Sequence, residues 1–427
     1  MKKTLYFSAL AGLMLSFSSC SLEQDRIWED SSAVRMQKTI EQYSEVLTSN
    51  PNGWGMEYFA NGANGGFNFV FKFSDNGSVV IGGKNAATTK GEYREEMSLW
   101  EFIKDNGPVL TFNTYNTVFH PFADPDPSHS GSSDGIGMGG DYEFIALSAC
   151  PDSVILLGKK TNNRICMYPL ATPNGEDYFK HLEENEAKFF NPNLPNLWLD
   201  ANGERYSAVV DLENRVISYV PEGGDPISET THSSYGLTNN GIKLFAPYTG
   251  MNGNFAVQNF FYDEAKGILV SLEDGKTNFS AGSLSDVFLN QKIYWRTDKA
   301  LMSGKVAEIY ADVVDQCKKI LRKNFGYFEF TYNSIADSYV LAFKNGTYSG
   351  YFKATYSITD GVAKFNITSE GNANAEAHYK KIPAMVEFID YLNANEFVVS
   401  VPNGLNPDPM TFKNKANEND WFSVSAN

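Results

Sequence analysis

Apolar residues along this chain change period several times, and each change marks an element. Ser31 or Ser32 caps a predicted helix in which Met36, Ile40, Tyr43 and Leu47 fall on one face, and Asn50-Pro51 stops it. The period then drops to two. Phe67, Phe69, Phe71 and Phe73 alternate with Asn68, Val70, Lys72 and Ser74, which predicts a half-buried strand. Asp75-Asn76-Gly77 turns it into Ser78–Ile81 as a hairpin. Val109–Thr114, Tyr142–Leu147, Val154–Gly158 and Arg164–Tyr168 read as further strands.

The pattern restarts twice. Pro173 and Gly175 precede a predicted helix over Tyr178–Phe190, and strands follow within Tyr206–Val220, Gly241–Pro247, Phe255–Asp263 and Ile268–Leu272. Ser303 then precedes Val306, Ile309, Tyr310, Val313, Cys317, Ile320 and Leu321, the cleanest amphipathic stripe in the chain. Phe328/Phe330/Tyr332, Tyr339/Leu341/Phe343 and Phe352/Ala354/Tyr356/Ile358 alternate as strands, with Asn345-Gly346 and Asp360-Gly361 as turns. A late helix opens at Pro383 and carries Met385, Phe388, Ile389 and Leu392. The expected fold is mainly β (α+β), in repeated units of one amphipathic helix plus an antiparallel meander. Such a meander hides its edges by closing into a barrel or under a helix. The expected units are a leader over 1–19, a tether over 20–33, and β-rich units over 34–173, 174–304 and 305–427.

Composition supports packed domains: 42% of residues are hydrophobic and 14% aromatic, and 427 residues exceed one core. The N-terminus adds an address. Lys2-Lys3, an apolar run over Leu5–Phe17 too short to span a bilayer, and Phe17-Ser18-Ser19-Cys20 form a lipoprotein-type leader, with lipid expected on Cys20. That lipid would be the link to the membrane. The formal net charge is −16, and loss of Lys2 and Lys3 makes the mature chain more acidic still, which excludes nucleic acid as a partner. Cys317 lies on the apolar stripe and reads as a buried thiol. Cys150 and Cys166 flank neighbouring strand candidates, a placement that permits a bridge in an oxidising compartment.

Candidate chemistry concentrates in one region. The long loop His120–Gly140 carries His120, Asp124, Asp126, His129 and Asp134, and Asp141 follows it. Histidines with carboxylates are metal ligands, but this spacing fits neither a calcium loop nor a zinc motif, so no metal and no cofactor is expected. The run Gly135-Ile136-Gly137-Met138-Gly139-Gly140 leads into a predicted strand, whereas a phosphate loop needs a following helix. Asp141 and Glu143 share a face if both lie on a strand, about 7 Å apart, a separation compatible with glycoside hydrolysis. Neither His-Glu-x-x-His nor Gly-x-Ser-x-Gly occurs, and the five histidines do not cluster, so an enzyme reading has little to stand on. Trp54 and Tyr58 are the aromatic candidates for stacking on a ligand. Their spacing also puts them on one strand face with Met56, as core residues would be.

Several phrases carry a family resemblance. Pro51-Asn52-Gly53-Trp54-Gly55-Met56-Glu57-Tyr58-Phe59, Phe71-Lys72-Phe73-Ser74-Asp75-Asn76-Gly77 and Leu110-Thr111-Phe112-Asn113-Thr114-Tyr115-Asn116 are three of them. Val118-Phe119-His120 and Gly140-Asp141-Tyr142-Glu143-Phe144 complete the set. Together they resemble a Bacteroidetes lipoprotein family, domain of unknown function 4302, over about residues 30–300. The resemblance implies an outer-membrane lipoprotein accompanying a TonB-dependent transporter and its substrate-binding lipoprotein. Glu23 and Asp25 after Cys20 are similar to the export signal that places such proteins on the cell surface. The expected function is a non-catalytic accessory in nutrient capture, engaging a glycan or a peptide. Two alternatives stand beside it: a hydrolase using Asp141/Glu143 or the His120 loop, and a calycin-like carrier of a small apolar ligand.

Overall fold

The computed structural model describes residues 30–62, 64–126, 135, 137–194 and 197–427. Cys20, His129 and Asp134 lie outside the described residues. The strands form three closed, antiparallel, eight-stranded barrels in chain order. Each closes because its first strand pairs with both its second and its last. Trp54–Tyr58 lies between Phe67–Phe73 and Arg164–Pro169 in the first barrel. Leu197–Ala201 lies between Glu204–Asp211 and Asn278–Ser280 in the second. Trp295–Ser303 lies between Phe325–Asn333 and Trp421–Ala426 in the third. The third barrel therefore begins before residue 305, where the sequence pattern marks a new unit. The helix signal there sits after the first strand of its barrel.

Seven helices over the described residues attach to this frame: α1 Ser32–Ser49, α2 Ala86–Thr89, α3 Gly175–Phe189, α4 Leu284–Phe288, α5 Gly304–Leu321, α6 Ala373–Lys381 and α7 Pro383–Ala394. Ser31 caps α1 by accepting from the Val34 amide. The Trp54 indole then donates to the Leu47 carbonyl at 2.9 Å, tying α1 to the first strand. Ser303 precedes α5 but makes no side-chain cap bond. Asp420, at the start of the last strand, accepts from the Val306 amide at 2.9 Å instead.

Aromatic rings fill the barrels. In the first, Phe69, Phe71, Phe112, Phe119 and Phe144 meet edge-to-face or tilted along the axis. In the third, Phe288 of α4 contacts Trp295, Phe330, Tyr356, Phe365 and Phe412, so the linker leaving the second barrel plugs the next one. An eight-stranded barrel is just wide enough for side chains to fill or for one small ligand. Here aromatic side chains occupy the interiors of the first and third barrels.

The phenylalanine strand is not half-buried. Its Phe69, Phe71 and Phe73 point into the first barrel, while Asn68 and Val70 are buried on the other face against the second. Asn68 Nδ2 donates to the Leu237 carbonyl at 2.9 Å and to the Tyr178 hydroxyl at 3.2 Å. Beside it the Gly66 amide donates to the Tyr235 carbonyl at 2.8 Å. A Cβ on Gly66 would stand 2.5 Å from Gly236 Cα, so the two barrels meet backbone to backbone. At the other junction the Ala281 amide donates to the Gly404 carbonyl at 2.8 Å, and Asn191 donates to Asn406 and Asp408.

Phe288 fills the third barrel, so its truncation has a large expected effect. Phe288→Ala should cost about 3–5 kcal/mol, read as a lower urea midpoint for the third barrel by Trp295 fluorescence. A midpoint shift worth less than about 1 kcal/mol would show that the plug is dispensable.

Candidate functional site

The His120 loop caps an end of the first barrel. A 3₁₀ turn over His120–Phe122 starts it, and Phe119 and Phe122 are fully buried in the barrel core. The start of the loop is structured, because rings that close the barrel lie at Phe119 and Phe122. His120 is buried too. Its Nδ1 accepts from the Asn116 amide at 3.0 Å and its Nε2 faces the Phe112 carbonyl at 3.1 Å, which fixes the Nε2–H tautomer. Burial pushes its pKa below the ordinary histidine value, against those two backbone bonds. The ring lies between Tyr115 and Tyr142, with centroids 5.4 and 5.7 Å away, and both tyrosines are partly solvent-facing. Asp124 accepts from the Asp126 amide at 2.9 Å and bonds the Tyr115 hydroxyl.

The two carboxylates proposed as a pair do different work. The strand begins at Glu143, so Asp141 precedes it and is buried where Glu143 is half-exposed. Asp141 accepts from the Lys160 amide at 2.6 Å, the Thr161 amide at 3.3 Å and the Thr161 hydroxyl, holding the turn between two strands. Glu143 binds Lys159 Nζ at 3.1 Å, and the same ammonium binds Asp105 at 3.0 Å. The Tyr58 hydroxyl accepts from the Asp141 amide at 2.8 Å and donates to its carbonyl at 3.2 Å. Tyr58 and Trp54 are both fully buried, so neither can stack on a ligand. The glycine run packs over the same end. Gly137 has φ +63, and a Cβ there would lie 2.3 Å from the Asp124 carbonyl oxygen.

Among the described residues no three His, Cys, Asp or Glu side chains gather as a metal site. The cysteines are free thiols: Cys150 exposed, Cys166 half-buried and Cys317 buried. Strand Ser153–Gly158 lies between the strands of Cys150 and Cys166, pairing Ser153 with Cys150 and Ile155 with Cys166. Two strand spacings, about 9–10 Å, are too far for a disulfide.

The structure gathers residues that the sequence did not. A cleft of about 430 Å³ opens between the first and second barrels, lined by Asn64, Phe67, Lys84, Asn85, Met138, Asn214 and Arg215 among others. Arg215 sits in a turn of the second barrel at φ +50, and its Nη1 donates to the Gly66 carbonyl at 2.8 Å across the junction. Its Nε faces Glu186 at 3.3 Å, and Lys84 faces Glu183 at 2.5 Å. Asn85 caps α2 through its Oδ1, which accepts from the Thr88 amide at 2.7 Å, while its buried Nδ2 has no acceptor among the described residues. The signal in the sequence was diffuse: Asn, Gly and Arg at hairpin turns more than a hundred residues apart.

Comparison with known proteins places the chain. The family described as Domain of unknown function (DUF4302) matches residues 24–264, more than half of its length. The chain belongs to this family. The match takes in the first barrel and most of the second, hence both walls of the cleft, and leaves out the third. No curated protein matches the sequence. Among solved structures the chain is similar to DNA polymerase sliding clamps. That of Bartonella birtlesii is 10% identical, with 92% of this chain and 97% of that one covered and a TM-score of 0.12. That of Pseudomonas aeruginosa is 7% identical, covering 92% and 97% at a TM-score of 0.11. That of Helicobacter pylori is 11% identical, covering 92% and 96% at a TM-score of 0.11. Overlap at that level carries no inference about fold or function.

On the first strand, burial pushes the pKa of Glu57 up from 4.5 to about 7, with Lys243 of the second barrel only partly offsetting it. The folded chain thus holds the Glu57 proton more tightly than the unfolded chain. That contribution is complete below pH 4.5 and is lost as pH rises to about 7, a total of about 3 kcal/mol. Glu57→Gln should flatten this part of the pH–stability curve and raise the urea midpoint at pH 8. An unchanged slope between pH 5 and pH 8 would remove Glu57 as its cause.

Proposed function

We propose that the protein is a non-catalytic outer-membrane lipoprotein, anchored by lipid on Cys20 and facing the cell surface, that binds a glycan or peptide as an accessory in TonB-linked nutrient capture. The observation that carries the binding part is the preformed cleft between two rigidly joined barrels. Its walls are fixed by Gly66, Asn68 and Arg215 bonds across the junction, so it needs no rearrangement to accept a ligand. The non-catalytic part is supported by the bonding of the candidate acids. Asp141 is saturated by turn donors and Glu143 is bound to Lys159, while His120 is neutral and held by two backbone groups. The address is supported by the leader-like segment, and the transporter partner is what the resemblance of the sequence phrases implies.

Two measurements test this. Affinity purification from gently solubilised outer membranes, with a tag after Asn427, should recover a TonB-dependent transporter and its substrate-binding lipoprotein. Recovery of the protein alone, from membranes in which such complexes survive, overturns the accessory role. Separately, Asp141→Asn should lower stability by about 1–3 kcal/mol, and Glu143→Gln should leave it nearly unchanged. Neither should alter retention of a bound ligand. Loss of a hydrolytic activity in both variants would instead favour the hydrolase.

A further inference from the structure

We infer that the cleft between the first two barrels takes a neutral saccharide, anchored by the Asn85 amide and seated on the Phe67 ring. This deepens the binding reading above and rests on it.

Three features of the cleft select this ligand class. The first is charge. Its two cations already have carboxylate partners, Lys84 with Glu183 and Arg215 with Glu186. Glu213 adds a carboxylate to the lining. No net positive charge is left to attract an acidic sugar, a phosphate or a peptide C-terminus. The second is hydrogen bonding. Asn64, Asn85 and Asn214 bring three side-chain amides to the lining, a group type that matches sugar hydroxyls. Asn85 is the decisive one. Its Oδ1 is fixed by the Thr88 amide at 2.7 Å and the Thr88 hydroxyl at 3.2 Å, so the amide cannot turn without losing its cap. That leaves a buried Nδ2 donor with no acceptor among the described residues, a costly state that a ligand oxygen would relieve. The third is the apolar part of the lining. The Phe67 ring is half-buried and held edge-on by Phe122 at 4.5 Å, and with Met138 and Leu212 it offers a surface for the C–H face of a pyranose.

A peptide fits less well. Extended peptides bind by adding a strand to a sheet edge, and the three barrels are closed. A helical peptide needs a continuous apolar groove, whereas the lining of this cleft interleaves its apolar residues with three asparagines and three charged side chains. The volume of about 430 Å³ lies at the low end of the ligand-pocket range and suits one or two sugar rings.

The test uses the full chain in a non-glycosidic detergent, with saturation-transfer NMR and calorimetry. The probes are maltose, cellobiose, lactose, mannobiose and chitobiose, with digalacturonate and a mixture of neutral tripeptides for comparison. At least one neutral disaccharide should bind. Asn85→Ala should weaken it about tenfold, the loss of one good hydrogen bond. Because Asn85 also caps a helix, Ala87→Trp provides a second variant: Ala87 is exposed at the cleft wall, and an indole there should abolish binding with an unchanged melting temperature. Failure of every neutral disaccharide to bind, or binding that survives Ala87→Trp, overturns the saccharide assignment. If tripeptides bind and Ala87→Trp blocks them, the assignment is wrong while the cleft remains a binding site. If no probe is blocked by Ala87→Trp, both fail.

Discussion

Backbone hydrogen bonding along the first strand of each barrel is the constraint on which everything else depends. Trp54–Tyr58 is five residues long, yet it satisfies strands on both sides. Without that double pairing two strand edges would be exposed, and the alternation that fills the interior with rings would have no enclosed space to fill. Closure also fixes where helices can go. α1 packs against the first barrel through Leu47 and Trp54, while α4 crosses from the second barrel and places Phe288 inside the third.

Closure has a consequence for chemistry. A filled barrel cannot use its interior, so function moves to its ends and to the contacts between barrels. The end of the first barrel consumes its polar groups in holding loops: Asp141 on a turn, Tyr58 on the backbone of Asp141, His120 on Asn116 and Phe112. The junction keeps polar groups available. Gly66 and Gly236 allow the two barrels to approach closely, and their loops leave an amide-lined cleft beside the contact. The same burial that packs the junction lifts the Glu57 carboxyl toward neutral pH.

Strands with one apolar face were legible from alternation, as at Val154–Gly158 and Phe325–Asn333. Arg94–Asp105 was not, because on its charged stretch only Ser98 and Trp100 are buried. Thr231–Thr238 escaped for a different reason. Its small residues Ser234 and Gly236 face the first barrel, where close approach leaves no room for larger side chains. The His120 loop misled because its length and its prolines resemble a solvated segment, while the aromatic residues at its start, Phe119 and Phe122, belong to the core.

The sequence alone determined the local elements: the helix cap at Ser31, the hairpin turn at Asn76-Gly77, the inward rings at alternate positions, and the rhythm of three β-rich units. These depend on residues within a few positions of one another, so local propensity and periodicity suffice. Tertiary structure decided the rest. Whether a meander closes, which face of Phe67–Phe73 meets a second barrel, and that Asn85 shares a cleft with Arg215 all depend on contacts between residues far apart in the chain. No local pattern records such contacts, because the packing energy that fixes them exists only once both surfaces are formed.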